Sequence, residues 1–358
     1  MGLFSNFKKE VGKMSGVSMG DGIPKFWIST GSYVLNKIIS GKYDRGIPQG
    51  RLTALVGPSG CGKSFVLGNM IKSAQKSGCG VLLIDTENAI DFDFLRAIGV
   101  DVTSEDFIRL TANEVNTCLK TINVILSEYR EAAKAGIEMK RLLICIDSLD
   151  FLFLGHALEA YEKTGELNND QGLHAKKLKQ LLTTLMQDIQ DMPVSIVATK
   201  QVYVDQTPNA FPPVKMTESL KFPFSQIILF TRYFERDKTT KNIDGIRLKA
   251  FGWKVRFTKP FQQVELNVPY DTGLDEYDGI LAAAASLGIV GKSGAWYEYN
   301  GKKFYSRDFN TVQEEVFQAL VAREKESLCV ELEGVEDLPA ASPDEIKRQK
   351  LEELAFKD

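Results

Sequence analysis

Short runs of apolar residues alternate with amphipathic segments along much of the chain. Runs that are too short for helices predict buried strands at 52–56, 81–84, 142–146 and 194–199. Apolar residues at helical spacing predict helices at about 33–39, 65–74, 93–98, 114–135 and 173–188. Strands that alternate with helices indicate an α/β fold built on a parallel sheet.

The later part of the chain has a different pattern. Apolar stretches follow one another closely and are expected to pair as antiparallel strands at 226–230, 245–251, 254–258 and 263–268. A helix at 280–287 and a hairpin with Asn300-Gly301 as its turn come next. The predicted fold class is therefore α/β: a twisted, mostly parallel sheet flanked by helices, with antiparallel strands added at one edge.

Composition divides the chain into three parts. Residues 1–24 are rich in Gly, Ser and Lys, bury little, and are expected to be a mobile or partner-docking segment. Residues 25–310 contain the predicted folded core. Residues 311–358 are expected to form an acidic tail, because from residue 324 on the chain carries 11 acidic and 5 basic residues.

Bulk composition excludes some classes of protein. The 358 residues have a net charge of −3, so a nucleic-acid partner would need a local basic surface. Five cysteines without a C-x-x-C pair and two histidines predict reduced thiols and no zinc site. No apolar run approaches the roughly 20 residues of a membrane span, and we expect a cytoplasmic protein with no membrane partner.

The stretch 57–64, GPSGCGKS, matches the phosphate-binding pattern G-x-x-x-x-G-K-[ST]. A chance match in a glycine-rich turn is the alternative, but a predicted strand precedes the stretch and a predicted helix follows it. Backbone N–H groups at a helix N-terminus suit phosphates, Lys63 suits the β and γ phosphates, and the Ser64 hydroxyl suits Mg²⁺. The predicted cofactors are ATP and Mg²⁺, bound by Gly57, Pro58, Ser59, Gly60, Cys61, Gly62, Lys63 and Ser64.

Three polar residues follow predicted strands of the parallel sheet. Asp147 either holds Mg²⁺ or merely caps the next helix. Glu87 either activates the attacking water or is a solvated loop acid. Gln201 is placed where an amide can sense the γ phosphate. Because the carboxyl ends of parallel strands meet at one edge of a sheet, all three are expected near the phosphate loop.

Two long segments, 155–169 and 202–219, are the expected contacts to a nucleic-acid strand, because loops of this length are usually functional or disordered. The second segment carries Tyr203, Phe211 and Lys215, whose rings and charge suit bases and phosphates. A cluster of lysines near the start of a helix either binds a phosphate backbone or forms a solvated face. Its members are Lys176, Lys177 and Lys179.

Six blocks of the chain resemble, in order, the RecA-type recombinases, and most closely the UvsX-type recombinases of bacteriophages. They are ISTGSYVLNKII, GPSGCGKS, IDTENAIDFDFLRAIGVD, LLICIDS, AKKLKQL and SGAWYEYNGKKF. The resemblance spans about residues 28–304. It implies a RecA-like P-loop ATPase core, with Glu87 as the catalytic base and Gln201 coupling the γ phosphate to the second loop.

The resemblance also assigns residues that spacing alone does not. Phe94 matches the aromatic residue that stacks on adenine, and Asp91 matches a polar neighbour of that base. Lys254 and Arg256 match two basic residues that reach across a subunit interface to the neighbour's triphosphate. ATP at such an interface implies that binding favours assembly and that hydrolysis favours release.

By resemblance, the chain is expected to be a DNA-dependent ATPase that forms helical filaments on single-stranded DNA. It would catalyse homologous pairing and strand exchange with duplex DNA in recombination, repair and replication, aided by a loading mediator and a single-strand-binding protein. A ring-forming ATPase such as a replicative helicase is one alternative. A non-catalytic recombination accessory protein is another, and the intact Lys63 and Glu87 argue against it.

Overall fold

A computed structural model describes residues 3–11, 22–155, 171–208, 210–236, 241–270 and 272–333. The strands are β1 Trp27–Ile28, β2 Ile47–Pro48, β3 Leu52–Gly57, β4 Gly80–Asp85, β5 Phe107–Leu110, β6 Leu142–Asp147, β7 Val194–Gln201, β8 Tyr203–Val204, β9 Val214–Lys215, β10 Gln226–Arg236, β11 Ile243–Lys254, β12 Gln263–Pro269, β13 Gly291–Ser293, β14 Trp296–Tyr299 and β15 Lys302–Tyr305. The helices are α1 Leu3–Val11, α2 Tyr33–Ser40, α3 Lys63–Lys76, α4 Phe92–Ile98, α5 Val115–Lys134, α6 Gln171–Asp188, α7 Glu218–Lys221, α8 Ile280–Ser286 and α9 Gln313–Glu333.

The main sheet has eight strands in the order β12-β11-β10-β3-β7-β6-β4-β5. The six strands from β10 to β5 are parallel, and β11 and β12 are antiparallel additions at one edge. This order confirms the predicted fold class. Strand β5 escaped sequence analysis because Arg109 interrupts its apolar residues.

The strand predicted at 254–258 is wrong. Strand β11 runs without a break to Lys254, and the residues after it belong to the turn that leads to β12. Two backbone hydrogen bonds close that turn, from the Gly252 N–H to the Gln262 carbonyl and from the Phe261 N–H to the Gly252 carbonyl. The chain therefore reverses direction where the apolar pattern alone suggested a further strand.

Two hydrophobic cores lie on opposite faces of the sheet, because successive residues of a strand point to opposite sides. In β3, Leu55 joins the core formed with α2, α3, α8 and α9. Its neighbours Ala54 and Val56 join the core formed with α5 and α6. Because these strands are buried on both faces, their sequences are continuous apolar runs.

The predicted boundary at residue 310 stays a prediction. Helix α9 begins three residues later, at Gln313, and its Val316, Phe317 and Leu320 are buried in the core. A salt bridge between Lys37 and the buried Glu324 fastens α9 to α2. The rest of the predicted acidic tail, residues 334–358, lies outside the described residues, as do residues 12–21 and 156–170.

Within the described ranges, none of the helices combines the length and the apolar character that crossing a membrane requires.

Candidate active site

The phosphate loop connects β3 to α3. At two of its positions, Gly57 and Gly62, the backbone leaves room only for glycine. Gly62 precedes α3 with φ +93°. A Cβ on Gly57 would lie 2.5 Å from the carbonyl oxygen of Phe230. Among the described residues, no side chain caps the first turn of α3. Its N–H groups and positive dipole end can therefore receive an anion.

The remaining loop residues divide by exposure. Pro58, Ser59 and Gly60 are exposed, whereas Cys61 is 2% exposed. Burial raises the pKa of the Cys61 thiol, although nearby Lys63 and Arg232 oppose the shift. Cys61 is therefore a packing residue of the loop rather than a reactive thiol.

Lys63 lies folded over the loop. Its Nζ donates to the carbonyl oxygens of Gly57, at 3.1 Å, and Pro58, at 2.9 Å. The ammonium group is thus held by two loop carbonyls, beside the place where the N–H groups of α3 would receive phosphates.

Asp147 ends β6 and is 6% exposed. The Thr199 hydroxyl donates to its Oδ1, and its Oδ2 finds no hydrogen-bond partner among the described residues. Burial raises the pKa of this carboxyl, while the hydrogen bond from Thr199 and the nearby Ser64 hydroxyl partly oppose the rise. A buried carboxylate oxygen without a partner beside a hydroxyl has the chemistry of a Mg²⁺ site.

Glu87 is exposed at the end of β4, next to Asp147 in space. The Ser148 hydroxyl donates to Glu87 Oε1 at 2.9 Å. Thr86 and Ser148 exchange hydrogen bonds of 2.7 and 2.8 Å, which join the ends of β4 and β6. The two carboxylates therefore reach the same place from neighbouring strands.

A cavity of about 120 Å³ brings the predicted residues together. Its lining comprises Ser64, Asp85, Glu87, Ala89, Ile90, Phe94 and Asp147. The described residues contain no cluster of three His, Cys, Asp or Glu side chains able to hold a metal alone. Mg²⁺ commonly combines one or two protein ligands with substrate phosphates, so a nucleotide would complete this site.

Asp85 is a cavity residue that sequence analysis missed. Its carboxylate is fully buried and accepts hydrogen bonds from the Ile90 N–H, at 2.9 Å, and from Arg109 Nη2, at 2.6 Å. Arg109 also donates to the Asn88 side chain at 3.0 Å. These bonds fix the turn that carries Glu87. The available signal was that Asp85 ends an apolar strand just as Asp147 does.

Phe94 separates the first cavity from a second one of about 170 Å³. Phe65, Tyr270 and Leu274 line the second cavity as well. Asp91 does not line either cavity among the residues described for them, and instead caps α4 by accepting the Phe94 N–H at 2.6 Å. Tyr270 was missed because it follows β12, far from Phe94 in the sequence.

Gln201 lies beside the phosphate loop. It ends β7 and pairs with Gly57 in the sheet register, and the next residue, Val202, donates its N–H to the Gly57 carbonyl at 3.3 Å. The segment 202–219 therefore starts directly at the nucleotide edge.

A family model described as the RecA N-terminal domain matches residues 3–275, which is more than half of the chain. The chain belongs to the RecA family. Protein RecA of Staphylococcus aureus (strain JH9) is 26% identical over 364 residues, covering 96% of both chains. Protein RecA of Nocardioides sp. (strain ATCC BAA-499 / JS614) is 25% identical over 305 residues, covering 83% of this chain and 80% of that protein. RecA family membership supports a recombinase function in general terms.

In this RecA family member, Lys254 and Arg256 lie away from the chain's own phosphate loop. Lys254 pairs with Ile227, which in turn pairs with Ala54 in the middle of β3. Strand β11 runs away from the phosphate loop, toward the amino ends of the parallel strands. Its Nζ donates to the Lys221 carbonyl at 2.9 Å and the Phe222 carbonyl at 3.2 Å. Burial, and then Arg256, lower the pKa of Lys254.

The predicted DNA-facing residues fall into three groups. Tyr203 and Lys215 pair across the small β8-β9 sheet, and Tyr203 is 67% exposed. Phe211 is 71% exposed, and its ring packs edge-on against Phe251 and Phe261, with centroids 5.5 and 5.7 Å apart. The third group consists of three lysines on α6, a helix that contacts α7 at the end of the second segment. Lys176 and Lys179 are exposed, and Lys177 is half-buried.

Proposed function

We propose that this protein is a DNA-dependent ATPase that assembles into filaments on single-stranded DNA and catalyses homologous pairing and strand exchange. The observation that carries the proposal is the cavity in which Ser64, Glu87 and Asp147 converge beside the phosphate loop of a RecA family chain. Function in bacteriophage recombination and replication, and kinship with the UvsX-type recombinases, are part of the proposal and rest on the resemblance.

Ser64 and Asp147 would hold Mg²⁺. The unpartnered Oδ2 of Asp147 and the adjacent Ser64 hydroxyl fit a hard cation that prefers oxygen ligands. Mg²⁺, when bound with ATP, neutralises charge on the β and γ phosphates. Lys63 would exchange its two carbonyl partners for those phosphates, and the N–H groups of α3 would bind the same anion.

Glu87 would orient and deprotonate the attacking water. Its carboxylate is exposed to the cavity, and the Ser148 hydroxyl holds one of its oxygens, which leaves the other to accept from water. The ends of β4 and β6 are tied together by Thr86 and Ser148, so Glu87 stays in place relative to Asp147. Gln201 would sense the γ phosphate and pass its presence to the segment 202–219.

The adenine base would bind against Phe94, in the cavity shared with Phe65 and Tyr270. Aromatic rings on one or both sides of a planar base supply stacking. In this arrangement Asp91 acts on the base indirectly, by capping α4 and so fixing Phe94.

Lys254 and Arg256 would complete the site of a neighbouring protomer. Both lie away from their own phosphate loop, so a triphosphate that contacts them belongs to another copy of the chain. Nucleotide binding at such a shared site stabilises the assembly by mass action, and hydrolysis weakens it. Single-stranded DNA, homologous duplex DNA, a loading mediator and a single-strand-binding protein are the proposed partners.

The proposal is tested by measuring ATP hydrolysis with and without single-stranded DNA at several protein concentrations. We expect strong DNA stimulation that rises steeply with protein concentration, because the active site is shared. Arg256→Ala should lose this stimulation, whereas Arg45→Ala, which removes an exposed guanidinium paired with Asp44, should keep it. Duplex unwinding by closed rings would instead support the helicase alternative, and absence of turnover would support the accessory protein.

A further inference from the structure

The turn that follows Asp147 carries a second carboxylate with a different set of partners. Residues Leu149–Phe151 form a 3₁₀ turn, and Asp150 within it reaches the end of β7. Its Oδ1 lies 2.5 Å from Lys200 Nζ, and its Oδ2 accepts the backbone N–H of Gln201 at 2.6 Å. Both side chains are largely buried, with Asp150 19% and Lys200 13% exposed.

These side-chain bonds join β6 and β7 beyond the point where their backbone hydrogen bonds end. Strands β6 and β7 pair in register as far as Ile146 and Ala198. Beyond that point side chains join the two strands: Thr199 donates to Asp147, and Asp150 binds the next two residues of β7. The metal-binding aspartate and the γ-phosphate sensor are therefore connected through a single turn of chain.

Asp150 lies near the starts of both proposed DNA-facing segments. The first segment begins at Gly155, shortly after the 3₁₀ turn. The second begins at Val202, directly after the residue whose N–H Asp150 accepts. A side chain that holds the Gln201 backbone can therefore link a change at the nucleotide to the start of the second segment.

We propose that Asp150 is a positioning residue that fixes the backbone of Gln201, and so couples nucleotide binding to the DNA-facing segment that begins at Val202. This inference rests on the proposed function, because it assigns a role within the coupling of ATP to DNA. Among the described residues, the hydrogen bonds and ion pair of Asp150 run to Lys200 and Gln201, which are outside the lining of the nucleotide cavity, so it acts through Gln201.

Two roles of the Asp150 carboxylate can be separated by substitution. In a positioning role, the carboxylate acts by placing an oxygen where it accepts the Gln201 N–H. As a structural ion pair, it matters because its charge offsets the buried Lys200. Asp150→Asn keeps an oxygen at the same reach and removes the charge, whereas Asp150→Glu keeps the charge and moves it one methylene farther.

The experiment compares Asp150→Asn in a Lys200→Met background with Asp150→Glu and with wild type. Lys200→Met removes the cation that the amide would leave unpaired, and serves alone as the matched control. The measurements are the ratio of ATP hydrolysis with and without single-stranded DNA, the affinity for a fluorescent ATP analogue, and the melting temperature. We expect the ratio to fall about tenfold in Asp150→Glu and to stay within about threefold of wild type in the amide variant.

The results that would overturn the inference are distinct. If the amide variant loses stimulation and Asp150→Glu keeps it, the ion pair is what matters and the positioning role is wrong. If both variants keep the wild-type ratio, or if the ratio only follows the melting temperature, Asp150 is merely structural. If wild type itself shows no DNA stimulation, the proposed function fails together with the inference that rests on it.

Discussion

Polar side chains at the nucleotide edge are buried, whereas aromatic side chains on the proposed DNA-facing surface are exposed. At the nucleotide edge, Asp85, Asp147 and Thr199 are buried: Thr199 donates to Asp147 from the neighbouring strand, and Asp85 accepts from the Ile90 N–H and from Arg109. On the DNA-facing surface, Tyr203 and Phe211 are more than half exposed. Buried polar groups must find partners inside the protein, so their positions are fixed, whereas exposed groups are free to adapt to a ligand.

The difference in burial indicates which part of the molecule needs side chains held in fixed positions. Chemistry on a phosphate requires groups fixed to within a fraction of an ångström, and a sheet edge with cross-strand bonds supplies that. Binding a polymer of varied sequence requires stacking and charge rather than fixed donors. Single substitutions should therefore have large effects at the first region and smaller, graded effects at the second.

The largest effect is expected from Lys63→Ala. Removing the ammonium group that would bind the β and γ phosphates should lower ATP hydrolysis about 10³-fold and abolish nucleotide-dependent DNA binding. Lys76→Ala, on the same helix but paired with Glu276 at the surface, is the control and should change neither. Strand exchange at the wild-type rate by Lys63→Ala would contradict the proposed site.

Glu87→Gln should separate nucleotide binding from hydrolysis. The amide keeps a hydrogen bond with Ser148 but cannot take a proton from water, so steady-state hydrolysis should fall about 10²-fold. The affinity for ATP, measured by equilibrium binding, should change by less than about threefold. The control is Glu131→Gln, at an exposed pair with Lys134. Hydrolysis at the wild-type rate would show that another group activates the water.

Phe211→Ala tests the second region. Losing one stacking ring should weaken single-stranded DNA binding by about 1 kcal/mol, which is roughly fivefold in the dissociation constant. Because Phe211 is 71% exposed, the free energy of unfolding should change by only about 0.5 kcal/mol. Ile137→Ala, an exposed apolar residue on another surface, is the control. Unchanged DNA affinity would place Phe211 in a packing role with Phe251 and Phe261.

Asp147→Asn should stabilise the fold while removing the metal site. Burial raises the folded-state pKa of Asp147, so the folded state binds a proton more tightly than the unfolded state does. Stability is therefore lost as pH rises from the ordinary aspartate value, about 3.9, through the raised value, and the loss persists at neutral pH. The amide removes this cost.

The expected gain for Asp147→Asn is about 1 kcal/mol in the free energy of unfolding, measured by urea titration at pH 7 in metal-free buffer. The gain should shrink as the pH is lowered toward the ordinary aspartate pKa, because the raised pKa of Asp147 lets the folded wild type take up the proton that relieves the cost. Stabilisation of the variant by Mg²⁺ with ATP should be lost. A destabilised variant at pH 7 would mean that the hydrogen bond from Thr199 needs the charged carboxylate.

The phosphate loop and the strands around it were predictable because their signals are local. Gly57–Ser64 is a contiguous pattern, and Asp147 and Gln201 each follow an apolar run that could only be a strand. In a parallel sheet the ends of such runs meet at one edge whatever the details of packing. The cavity that joins Ser64, Glu87 and Asp147 agrees with that expectation, although their catalytic roles stay predictions.

The family resemblance added residues that no local pattern indicates. Phe94 lines both cavities, whereas Asp91 caps α4. Lys254 ends a strand that leads away from the phosphate loop and Arg256 lies in the turn just after it, so their proposed role depends on a second protomer.

By itself, the sequence determined the class of the fold and the place of the phosphate loop, since apolar periodicity and glycine spacing act over short stretches of chain. Tertiary structure alone decided that Arg109 pairs with Asp85, that Tyr270 faces the same cavity as Phe94, and that Asp150 holds the Gln201 backbone. Such contacts join residues distant in sequence, and only the packing of the sheet brings them within hydrogen-bond reach.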